Sequence, residues 1–94
     1  MKEKLKVWDA AEHLKTKKDM ATYMACALEE GDPALIAAAL GDIARAQGMS
    51  KVAKEAGLGR ESLYKTLSID GNPALATILK ILHALGLKLQ AVPA

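Results

Sequence analysis

Residues 49–67 read MSKVAKEAGLGRESLYKTL, two short helical patterns separated by Gly57, Leu58 and Gly59. Val52 and Ala56 are spaced to face inward from the first helix, and Ala53 is small where a second helix must come close. Ser50 is placed to cap that first helix. Gly57 suits the turn, where a positive φ carries no Cβ penalty, and Leu58 plugs the gap between the two helices. Leu63 and Leu67, four apart, hold the second helix to a core. The pattern is a helix-turn-helix.

With those positions taken by the core, Arg60, Glu61, Ser62, Tyr64, Lys65 and Ser68 are left to face solvent or a groove. An α-helix fits the major groove of B-DNA, and side chains of its N-terminal turns reach base edges while the preceding helix crosses the backbone. Arg60 can donate two hydrogen bonds to guanine, Ser62 can pair with several edges, and Tyr64 offers a ring and a hydroxyl. Lys65 suits a phosphate. Glu61 reads two ways: it can accept from cytosine, or it is a first-turn carboxylate favoured by the helix dipole without DNA. Ser50, Lys51, Gly59 and the loop 68–72, with Ser68 and Asn72, are candidate phosphate contacts through hydroxyl, ammonium and backbone N–H groups. Capping and turn formation are the competing roles, for Asn72 above all.

On either side the helical pattern continues. Asp32-Pro33 is a start signal, because Asp accepts from free backbone N–H groups and Pro at the first position has none to leave unpaired. It predicts a helix over Pro33–Gln47, with Ile36, Leu40 and Ile43 as an apolar stripe beside Leu35 and Ala39, and Gly48 as the stop. Asn72-Pro73 repeats the start signal ahead of a stripe of Leu75, Ile78, Leu82 and Leu85 that Gly86 ends. Residues 87–92 then alternate with a period of two, the pattern of a half-buried strand. No other segment reads as a strand, so Leu87, Leu89 and Ala91 are expected to pair with the same strand of a second molecule. A tail lying on the core or frayed is the alternative.

Upstream, Asp9 and Glu12 have the spacing of a capping box for a short helix to about Leu14. Thr16 and Asp19 repeat that spacing before Met20, Tyr23, Met24, Ala27 and Leu28, which share one face of a helix ending near Gly31. The expected architecture is all-α, a bundle of about five to six helices with a short C-terminal strand. One domain fills residues 1–94: a helical extension over 1–31, a DNA-binding core over 32–86, and a strand or tail over 87–94.

Composition agrees. A chain of 94 residues with 51% hydrophobic content builds one core, and an inventory without Phe favours helix over sheet. The net charge of +2 is too small to name a nucleic-acid partner, so the distribution of charge must decide. Lys2, Lys4, Lys6, Lys15, Lys17 and Lys18 form a basic arm. Lys51, Lys54, Arg60 and Lys65 form a second group, inside the helix-turn-helix. The single Cys26 cannot make an internal disulfide and reads as a small buried side chain of a cytoplasmic protein. No apolar run is long enough to span a bilayer, and the charged N-terminus has no apolar stretch behind it to act as a secretion signal.

The Asp-Pro start, the Ala-x-x-x-Gly-Leu core, Arg60-Glu-Ser-Leu-Tyr64, Gly71-Asn-Pro73 and the Leu85-Gly-Leu87 ending together resemble the prophage-associated addiction-module antidote proteins, relatives of the HigA antitoxins. The upstream Lys-x-x-Asp-x-x-x-Tyr and Glu29-Glu-Gly-Asp-Pro33 elements resemble the same family, so the likeness covers nearly the whole chain. It implies a Cro/Xre-like helical domain, dimeric binding to double-stranded operator DNA, and a cognate toxin of the RelE/ParE-like type encoded alongside. Residues 2–28 lie outside the DNA-binding core and display charge together with Val7 and Trp8, which makes them the expected toxin surface. Trp8 is either an anchor in that interface or packed on its own helices.

Two readings compete with the antitoxin. A stand-alone phage-type transcriptional repressor uses the same chemistry without a toxin, and a pure interaction module would dock through the basic arm. Catalysis is not expected, because His13 and His83 stand alone, far from paired Cys or a second His at metal-ligand spacing. No metal or cofactor is expected either, since Gly57-Leu-Gly59 lacks the longer frame of a phosphate-binding loop.

Overall fold

The computed structural model describes residues 14–68 and 70–94. The expected capping box at Asp9 and Glu12, and the residues Val7, Trp8 and His13, lie outside them. The described chain forms five helices: α1 (Lys17–Glu30), α2 (Pro33–Gln47), α3 (Met49–Ala56), α4 (Arg60–Thr66) and α5 (Leu75–Ala84).

The helix ends follow local chemistry at most positions. Thr16 caps α1 by accepting from the Asp19 N–H at 3.0 Å, and Asp32 caps α2 by accepting from the Ala34 N–H at 3.0 Å, with Pro33 opening the helix. Gly31 closes α1 at φ 71 and Gly57 closes α3 at φ 73, both in the left-handed region. After α3, the Gly57 N–H donates to the Lys54 carbonyl and the Leu58 N–H to the Ala53 carbonyl at 2.8 Å, which satisfies two terminal carbonyls and sets the turn. Leu58 is then half-buried against the core, as its position between the two helices predicts.

Two expected caps are corrected. Ser50 does not cap α3: the single residue Gly48, at φ 103, joins α2 to α3, so the helix opens at Met49 and Ser50 already lies in its first turn. Asn72 does not cap α5 either. The chain stays extended through Ala74 (φ −67, ψ 154), which is the N-cap and contributes no side-chain hydrogen bond, so the helix opens at Leu75 beyond Pro73. Gly71 holds that loop close against the end of α4, where an added Cβ would overlap the Thr66 carbonyl.

One apolar cluster joins all five helices. α1 contributes Met20, Met24 and Ala27, with Leu14 ahead of it; α2 contributes Ala39, Leu40, Ile43 and Ala44; α3 contributes Met49, Val52 and Ala53; Leu63, Leu67, Ile81, Leu82 and Leu85 complete it. α1 packs on α2, and α3 packs on α2, α4 and α5. α2 passes so near the end of α4 that a Cβ at Gly41 would stand 2.6 Å from the Leu67 carbonyl oxygen.

The stripe of α5 keeps Ile78, Leu82 and Leu85 of the expected set, loses Leu75 and gains Ile81. Ile81 is fully buried and Leu75 is 61% exposed, so the inward residues are Ile78, Ile81, Leu82 and Leu85. Leu75 begins the helix beyond the reach of the cluster. Leu28 and Leu35 are also largely exposed. Cys26 is exposed rather than buried, because the inward spacing of α1 runs through 20, 24 and 27, and residue 26 points away from it. Residues 87–94 carry no regular structure in the single chain. The Leu87 N–H donates to the Leu82 carbonyl at 2.8 Å across Gly86, Leu87 is half-buried, and Leu89 lines a groove that Ala21, Met24 and Leu28 of α1 share.

Candidate nucleic-acid interface

The two helices of the 49–67 stretch meet across the Gly57 turn, and α4 is held by Leu63, fully buried, and Leu67. α4 spans only seven residues, too few to be stable alone, so these two leucines fix its position. With that face inward, Arg60, Glu61, Ser62, Tyr64 and Lys65 are all exposed, and Thr66 is half-buried. Sequence spacing anticipated the exposure of Arg60, Glu61, Ser62, Tyr64 and Lys65 and the burial of Leu63 and Leu67.

Within the exposed face, the Arg60 guanidinium lies over the Tyr64 ring, 5.6 Å from its centroid. The pair is one helical turn apart, and stacking of this kind offsets part of the entropy lost in ordering a long cation. Glu61 occupies the first turn of α4 and Lys65 the last, each at the end of the helix whose partial charge favours it. Ser68 donates its hydroxyl to the Lys65 carbonyl at 3.0 Å, closing the helix while leaving its oxygen free to accept. Gly59 is extended and exposed at the entry to α4, and an added Cβ there would meet nothing closer than 4.0 Å, so its small size is not demanded by packing within the chain.

The remaining candidates are placed around this helix. Ser50 and Lys51 are exposed in the first turn of α3, which packs on α4. Asn72 is exposed in the loop between α4 and α5. The tail residues Leu89 and Ala91 are exposed, whereas Leu87 is half-buried on its own chain.

The sequence reading missed a polar link from α1 to α2. Tyr23 donates from its hydroxyl to Asp42 Oδ2 at 2.5 Å, and Arg45 Nη2 donates to Asp42 Oδ1 at 2.5 Å. Burial, then the hydrogen bond and negative charge of Asp42, push the Tyr23 phenol up from 10.0 to about 12, with Arg45 acting the other way. Arg45 in turn borders a shallow hollow that Tyr64 and Ser68 also line. The spacing of Asp42 and Arg45 on one helix face was the available signal; the partner on α1 had none.

Among the described residues no group of His, Cys, Asp and Glu is arranged to hold a metal ion, and no helix is long and apolar enough to cross a membrane. Residues 4–93 match the sequence model of a family described as probable addiction module antidote protein. A protein of Haemophilus influenzae (strain ATCC 51907 / DSM 11121 / KW20 / Rd), described as uncharacterized, is 49% identical over 90 residues, which cover 96% of this chain and 93% of that protein. No solved structure matches the chain.

Proposed function

The chain belongs to the family of probable addiction module antidote proteins, and from that premise we propose that it is an antitoxin that binds operator DNA as a dimer and represses its own operon. In this reading it also neutralises a RelE/ParE-like toxin, works in the cytoplasm, and acts by binding alone, without metal or cofactor. One observation carries the DNA half: α4 buries Leu63 and Leu67 and leaves Arg60, Glu61, Ser62, Tyr64 and Lys65 on one exposed surface. A Cro/Xre-type recognition helix needs that arrangement to enter a major groove.

Arg60 is then the base reader, steadied by the Tyr64 ring, with Ser62 and Tyr64 completing the edge contacts and Lys65 on phosphate. Gly59 lets the DNA backbone approach the start of α4, and Ser50, Lys51, Ser68 and Asn72 serve the flanking phosphates. The dimer would form through residues 87–94, whose outward groups at Leu89 and Ala91 are free to pair with a second tail. Two-fold symmetry then calls for a palindromic operator with half-sites about one helical turn apart. The toxin surface is assigned to residues 2–13 with the outer face of α1. Leu14 belongs to the core and is excluded from it.

A gel shift of the protein on its own upstream region tests the reading. The Arg60→Ala/Lys65→Ala variant should lose a specific shift while keeping its thermal stability, since both side chains are exposed. Removing residues 2–13 should leave the shift intact and weaken capture of the toxin. Specific binding undiminished in the double variant would remove α4 from the interface.

A further inference from the structure

A hollow of about 390 Å³ opens where the start of α1, the junction of α2 and α3, and the end of α5 meet. Three lysines line it, Lys15, Lys17 and Lys51, against one acidic residue, Glu55, with His83 beside them. Lys51 already stands among the candidate phosphate contacts of the helix-turn-helix. Lys15 and Lys17 come from the other basic group, the arm that the sequence keeps apart from it.

The backbone that carries these two lysines is anchored at Leu14 and Thr16. Leu14, directly before them, is 3% exposed in the core, and its carbonyl accepts from Gln47 Nε2 at 3.3 Å. Thr16, between them, caps α1. The stem of Lys17 runs over Gly86, where an added Cβ would stand 2.7 Å from Lys17 Cε and 2.9 Å from its Nζ. Gly86, at φ 80, therefore serves both the turn after α5 and the path of this side chain. The carbonyl end of α5 carries partial negative charge and favours the ammonium in that position.

We infer that Lys15 and Lys17, with Lys51, form a phosphate-binding surface that carries the DNA contact beyond α4 onto the flanking backbone of the same duplex. The inference rests on the DNA-binding reading of α4. Ammonium groups are point charges that neutralise phosphate and carry no base information, so this surface adds affinity and orientation while α4 supplies sequence preference. It also divides the N-terminal extension: the start of α1 serves DNA, and the toxin is left the residues before Leu14 and the outer face of the helix.

Each phosphate neutralised releases counterions, and the salt dependence of binding counts them. Binding to a labelled duplex of about 30 base pairs from the upstream region, measured between about 50 and 200 mM salt, should lose about one unit of log–log slope per lysine in Lys15→Gln/Lys17→Gln. Lys15→Arg/Lys17→Arg should restore the slope, which separates charge from any effect on folding. Lys18→Gln, next along α1 but outside the hollow, should leave it unchanged. An unaltered slope in Lys15→Gln/Lys17→Gln, with binding still lost in Arg60→Ala/Lys65→Ala, overturns the inference and leaves the recognition helix standing. No wild-type binding to the duplex at the lowest salt overturns both.

Discussion

Tyr23 and Asp42 tie the N-terminal helix to the rest of the protein through a phenol that holds its proton more tightly than a free one. The folded pKa of about 12 lies above the unfolded value of 10.0, so the native state binds this proton better than the unfolded chain. The stability it contributes is fully present below pH 10.0 and is lost as the pH rises towards about 12. Tyr23→Phe removes the hydroxyl and keeps the ring, and should cost about 1 kcal/mol at neutral pH. The gap between wild type and Tyr23→Phe in urea unfolding should close over that alkaline range. A gap that stays constant with pH would mean that the phenol and carboxylate are not bonded in solution. The Asp42–Arg45 ion pair on the same carboxylate is partly exposed and adds little on its own.

Helices in this chain are stabilised in two different ways. α1 and α2 have side-chain caps and enough length to bury several residues each, whereas α3, α4 and α5 have no side-chain cap. The short α4 persists because Leu63 and Leu67 are in the core and the Gly57 turn delivers the chain to it. Thr16→Ala and Asp32→Ala should therefore each lower stability by about 1 kcal/mol. Asn72→Ala should be nearly silent in thermal unfolding, although its sequence context is as good a cap signal as Asp32. Equal losses at all three positions would place a cap on α5 that the geometry does not contain.

Because one cluster takes side chains from α1 through α5, α1 and the four helices after it share their stability. Leu40 sits fully buried in that cluster, and Leu40→Ala should cost about 2–5 kcal/mol from the transfer of its side chain and the cavity left behind. Against a typical total of about 5–15 kcal/mol, that loss lowers the unfolding midpoint of every element together. Far-UV circular dichroism and tyrosine fluorescence should report the same midpoint in the wild type and in Leu40→Ala. An earlier, separate transition for α1 would show that the extension folds on its own terms.

Asp32-Pro33, Gly48, Gly57 and the Leu63/Leu67 pair determine the limits of α2, the turn and the exposed face of α4 from the sequence alone. Each of these signals acts within a turn or two of itself, through a cap bond, a positive φ or the helical period, so neighbours in sequence suffice to read it. Local pattern failed where the deciding contact comes from elsewhere in the chain. Ser50 and Asn72 look like caps, yet the joints at Gly48 and at Gly71–Ala74 start their helices at other residues. Leu75 fits the apolar period of α5 yet is exposed, and Ile81, outside the expected set, is buried in the cluster that α3 shares. The placing of Lys15, Lys17 and Lys51 around one hollow, and the bond of Tyr23 to Asp42, belong to the same class. Helix period tells which residues share a face, and only the packing of one helix on another tells what that face meets.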